Sequence, residues 1–172
     1  MRYFLLLLLP FFFAASCSDD EELSPVDQLP PATQTGENVV ACLIDGELWV
    51  NDPNRTGEVN ISAIYNSDFN RISINAKQRD SDQSLLSIIG FRLTPPVVGV
   101  QSLNPFLIVF EDDPNGQPVR YEIDTVSSYQ VTVTKIDFNQ HILSGLFHGC
   151  LVSGSRRDTI QISDGHFDLT YY

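Results

Sequence analysis

Three histidines, His141, His148 and His166, and three cysteines, Cys17, Cys42 and Cys150, are the side chains best suited to metal or nucleophilic chemistry. Residues two apart on a strand share a face, so His148 and Cys150 could converge on one ligand. Their spacing lacks the paired short steps of a zinc site, and scattered surface or half-buried imidazoles are expected instead. The segment Asp112-Asp113-Pro114-Asn115-Gly116 offers oxygen ligands but not the spaced series and terminal Glu of a calcium loop. It reads as a solvated turn. No Gly-x-Ser-x-Gly elbow, phosphate-cradling glycine loop or nicotinamide fingerprint occurs in the sequence. Two carboxylates brought together from different strands would not be legible here. No catalytic residue, metal site or cofactor is therefore assigned.

A different chemistry is written at the start. Met1-Arg2-Tyr3 precedes an apolar run from Phe4 to Ala15 and then Ser16-Cys17, the three-part layout of a secretory signal. The run is shorter than the roughly 20 apolar residues of a membrane span, and Pro10 interrupts it. Small residues at Ala14-Ala15-Ser16 directly before Cys17 resemble a bacterial lipobox, in which the thiol receives a diacylglycerol and the freed amine a further acyl chain. Residues 1–16 are thus expected to be a signal peptide and Cys17 a membrane-anchoring lipidated residue. In the oxidising compartment that export implies, Cys42 and Cys150 are expected to form a disulfide. Two separately buried thiols are the alternative.

The formal charge of −12 opposes association with nucleic acid or anionic lipid head groups. Residues 17–38, acidic at Ser18-Asp19-Asp20-Glu21-Glu22 and punctuated by Pro25, Pro30 and Pro31, have too little apolar surface to offset their ordering entropy. They read as a flexible tether ahead of one domain spanning residues 39–172, close to the size typical of a single domain.

Within that domain apolar residues alternate or run in short blocks bounded by Gly, Pro, Asn and Asp. Val39–Ile44 and Glu47–Val50 flank Asp45-Gly46, the chemistry of a type I′ hairpin. Further strands are expected at 58–65, 71–76, 85–91, 107–110, 119–123, 129–136 and 142–152. A last pair, 159–162 and 166–171, would surround a turn at Ser163-Asp164-Gly165. Ten or so short strands without a helical pattern point to an all-β fold, an antiparallel β-sandwich, with a small barrel as the alternative. Trp49, Tyr65, Tyr121, Tyr129, Tyr171 and Tyr172 are expected mostly in the core or in cross-strand pairs, although an exposed subset could stack on sugar rings.

Three stretches resemble, in order and spacing, a family of small Bacteroidota lipoproteins built on an all-β domain of unknown function. They are Leu43-Ile44-Asp45-Gly46-Glu47-Leu48-Trp49, Thr134-Lys135-Ile136-Asp137 leading to Ser144-Gly145-Leu146-Phe147, and Ile162-Ser163-Asp164-Gly165-His166-Phe167-Asp168. The resemblance implies an outer-membrane lipoprotein and carries no catalytic residues. Asp19, Asp20, Glu21 and Glu22 are similar to the signal that sends such lipoproteins to the cell surface, the periplasmic face being the alternative. The favoured reading is a non-catalytic envelope module that binds a glycan, a peptide or a neighbouring protein, or serves structurally. The alternative is a small exported hydrolase or ligand carrier with a site assembled from several strands.

Overall fold

The computed structural model describes residues 23–101, 108–112, 118–123, 129–154 and 158–172. Cys17, the acidic run 19–22 and most of the 112–116 turn lie outside them. The strands are β1 (Val39–Ile44), β2 (Glu47–Val50), β3 (Ile61–Asn66), β4 (Arg71–Arg79), β5 (Leu85–Leu93) and β6 (Gly99–Gln101), then β7 (Ile108–Asp112), β8 (Pro118–Ile123), β9 (Tyr129–Asp137), β10 (Ile142–Ser153) and β11 (Thr159–Thr170). Apart from a 3-10 turn at Pro25–Gln28, the described chain contains no helix.

All pairings between strands are antiparallel, along the path β2-β1-β11-β10-β8-β7-β5-β4-β3, with β9 beside β10 and β6 beside β9. The twelve-residue β10 makes the corner, since Ile142–Gly149 pair with β9 and Leu151–Ser153 with β8. The path thereby folds into two layers over one core, an antiparallel sandwich and not a closed barrel. Phe91 of β5 meets Phe147 of β10 at 5.9 Å and Phe167 of β11 at 5.3 Å between ring centroids. These tilted contacts across the layers are the packing that aromatic quadrupoles favour. Trp49 on β2 is buried, and its indole N–H donates to Ser87 Oγ on β5 at 2.6 Å. Edge contacts stitch the layers at two seams: Tyr65 N donates to Tyr172 O and Tyr172 N to Ala63 O, while Asp52 N donates to Lys77 O and Arg79 N to Asp52 Oδ2.

The first hairpin is as expected, with Asp45 at φ 51° and Gly46 at φ 87°, the two positive values that a type I′ turn needs. Three expectations require correction. The final pair of strands is one continuous β11, and Asp164 (φ 53°) sits where the register with β10 slips. Ser163-Asp164-Gly165 is a bulge, because the backbone of β11 passes so close to Phe147 that a Cβ at Gly165 would overlap its ring and carbonyl.

The second correction concerns Cys42 and Cys150, which are free thiols. Cys42 points into the core with Val40 and Ile44, whereas Cys150 pairs with Gln161 in register and is only partly buried. Strand β11 lies between their strands, so two strand spacings of about 4.8 Å separate them, beyond the Cα reach of about 7 Å for a disulfide. Burial pushes the Cys42 thiol up to about 12, which makes it an inert apolar side chain.

The third concerns residues 33–38, read above as the end of a flexible tether. They form a strap across β11 and β10. The Asp168 carboxylate, buried on the outer face of β11, accepts hydrogen bonds from Thr33 Oγ1 (2.6 Å), Ser144 Oγ (2.7 Å) and the backbone N–H groups of Thr35, Gly36 and Glu37. Gly36 at φ 83° turns successive amides toward one anion, the geometry of a backbone nest. Lys135 Nζ holds the Gln34 carbonyl at 2.8 Å, and Asn38 Oδ1 accepts from Thr170 N.

Candidate binding surface

Two turns, one joining β3 to β4 and the other β9 to β10, meet at the same end of the sandwich. Both carry the tripeptide Asp-Phe-Asn, at 68–70 and at 137–139. In the first, Asn66 Oδ1 accepts the Phe69 N–H at 3.1 Å, and Asn70 closes the turn at φ 44°. In the second, Asp137 Oδ1 accepts the N–H groups of Asn139 and Gln140, both at 2.9 Å, and His141 closes it at φ 56°. Short side chains that bond their own backbone and tolerate positive φ are the usual makers of tight turns. The hydrogen bonds from Gln140 and Asn139 also hold the Asp137 carboxyl below its ordinary range, so it is ionised at neutral pH.

A ring cluster supports these turns from below. Tyr65 lies 6.2 Å from both Phe138 and Tyr171, Phe138 lies 6.3 Å from Tyr171, and His141 lies 5.4 Å from Tyr171, all edge to face. Tyr171 is buried and donates its hydroxyl to the Asp137 carbonyl, while Tyr65 donates to Asn70 Oδ1. Burial, with the Asp137 charge second, pushes the Tyr171 hydroxyl pKa up, so it stays a donor. Above this rigid base Phe69 is 63% exposed, Phe138 54% and Tyr172 79%. The Arg71 guanidinium lies 5.2 Å from the Phe69 ring centroid, and its Nε has no hydrogen-bond partner.

The residues singled out from the sequence are distributed differently. Trp49 and Tyr121 are buried, Tyr129 is half-buried, and of the six aromatics considered Tyr65, Tyr171 and Tyr172 reach this end. His141 joins it. His148 and His166 lie on the outer face of β10 and β11, lining a groove of about 540 Å³ with Ala32, Leu146, Gln161 and Asp164. His166 is buried, its pKa lowered by that burial, and its Nε2 has no hydrogen-bond partner. No hydrogen bond or ion pair joins an imidazole to a carboxylate among the described residues. A second groove, of about 470 Å³, lies between Asp45, Glu47 and Trp49 and the Gln78–Leu86–Ser87 region. Among the described residues no group of three or more His, Cys, Asp or Glu could hold a metal ion.

Phe69 and Phe138 escape a reading by strand pattern because each sits in a turn, remote in sequence from the other. The repeated Asp-Phe-Asn was the available signal, since a large apolar residue between two turn-forming polar ones has no strand neighbour to cover it. Comparison with protein-family models, curated proteins and solved structures returns no match.

Proposed function

We propose that this chain is a lipid-anchored, non-catalytic binding module of the cell envelope, and that its aromatic end is the recognition surface. The observation that carries the reading is the exposure of Phe69 and Phe138 on two turns braced by their own hydrogen bonds and by a ring cluster gathered on buried Tyr171. Full burial of a phenylalanine is worth about 1.5–3 kcal/mol, and Phe69 and Phe138, 63% and 54% exposed, leave roughly half of that for binding to recover. Ala14-Ala15-Ser16-Cys17 supplies the anchor, and Asp19 to Glu22 the signal for display at the cell surface of the outer membrane. The Bacteroidota lipoprotein likeness agrees with that placement.

A second reading, an exported hydrolase or ligand carrier, has one observation in its favour: the unpartnered Nε2 of buried His166 beside the outer groove. Photocrosslinking separates the two. With a photoreactive phenylalanine analogue at position 138 or at position 164 of the full chain on intact cells, adducts are expected from 138. Adducts from 164 alone would transfer the site to the groove. Metabolic acyl labelling is expected to mark the natural chain and not Cys17→Ser, and equal labelling would remove the anchor.

A further inference from the structure

The chemistry of the aromatic end narrows the ligand. We infer that it is a platform for an uncharged glycan chain, an assignment that rests on the binding reading above. The two phenylalanines stand apart on narrow turns, each flanked by an Asp and an Asn, and the neighbouring groups are Asn70, Asn139, Gln140 and His141. A sugar ring has an apolar C–H face and a rim of hydroxyls that both donate and accept. The first fits a half-exposed phenyl ring, and the second fits side-chain amides, a carboxylate and an imidazole.

Other occupants match less well. Two four-residue turns offer far fewer than the 20–30 residues a stable protein interface presents on each side. Insertion into a membrane would bring the Asp68 and Asp137 carboxylates to the lipid boundary beside the very rings that enter it. An acidic polysaccharide would meet those carboxylates and a chain of net charge −12, against the single guanidinium of Arg71 at Phe69. A neutral glycan suffers none of these penalties. The fixed turns also reduce the ordering that a weak, repeated stacking contact would otherwise have to overcome.

The test is native affinity electrophoresis of the full chain in a polyoxyethylene detergent, with dextran, laminarin, xylan or galactomannan cast in the gel and polygalacturonate as the anionic counterpart. At least one neutral polysaccharide is expected to retard the protein. Phe69→Ala and Phe138→Ala should each weaken that retardation by about fivefold to tenfold, consistent with the worth of one aromatic contact. Phe138→Trp should preserve it, and thermal melts of Phe69→Ala and Phe138→Trp should match the natural chain, whereas Phe138→Ala, which also gives up its edge contacts with Tyr65 and Tyr171, should fold with a somewhat lower melting temperature. Retardation that survives both alanine variants overturns the assignment, as does retardation by polygalacturonate alone or by no polysaccharide. Quenching of Phe138→Trp fluorescence by brominated phosphatidylcholine vesicles would put the turn in a membrane and also overturn it. If the glycan fails while adducts still form from position 138 on cells, the surface stands and only its ligand class falls.

Discussion

Asp168 shows how much one side chain can organise without any catalytic part. Burial alone would raise its pKa, yet bonds from Thr33, Ser144 and the Thr35 and Gly36 amides outweigh that and hold it at about 2. Its folded pKa lies below the ordinary 3.8, so its stabilisation is present above about pH 4 and lost as pH falls toward 2. The shift corresponds to about 2 kcal/mol. Urea melts should show that loss in the natural chain and not in Asp168→Ala, which should be less stable by about 2–3 kcal/mol at neutral pH. The same variant should expose residues 33–37 to rapid amide exchange, and unchanged exchange there would mean that the strap is held by something else. The two cysteines give a second residue-scale expectation. A maleimide should modify Cys150 in the folded protein and Cys42 only on unfolding, whereas a mobility shift on reduction would restore the disulfide.

The strands were legible wherever local chemistry and tertiary demand agreed. The Asp45-Gly46 hairpin has the same boundaries in sequence and structure because its turn type leaves one register. At Ser163-Asp164-Gly165 the residues are equally turn-like, but Gly165 serves a close passage past Phe147, and the positive φ of Asp164 is absorbed as a bulge. Sequence alone cannot tell a glycine that turns the chain from one that admits a neighbour. Gly165→Ala should therefore destabilise by about 1–3 kcal/mol, the cost of forcing a methyl into a filled core. A neutral effect in a thermal melt would show that β11 has room to shift. Strand β6 went unseen because it is three residues long, opens on Gly99 and follows Pro95-Pro96, and the strap because its partner, Asp168, lies far along the chain.

At the scale of the whole molecule, two layers and a strap bury Cys42 and His166 among the side chains that the sequence marked, leave His141 and His148 exposed, and bare two phenylalanines that it passed over. Cys42, His166 and Asp168 are enclosed, while Phe69 and Phe138 stand in solvent at one end. Fold class was readable because periodicity is a local property. The candidate surface was not, because it exists only where two remote turns meet. Hydroxyl-radical footprinting compares those regions directly, with the full chain oxidised on intact cells and as a purified protein. The account predicts that Phe69 and Phe138 are protected on cells while Leu146 and His148 of the outer groove oxidise equally in both. Protection of the groove, with both phenylalanines oxidised at the same rate in the two samples, would contradict it.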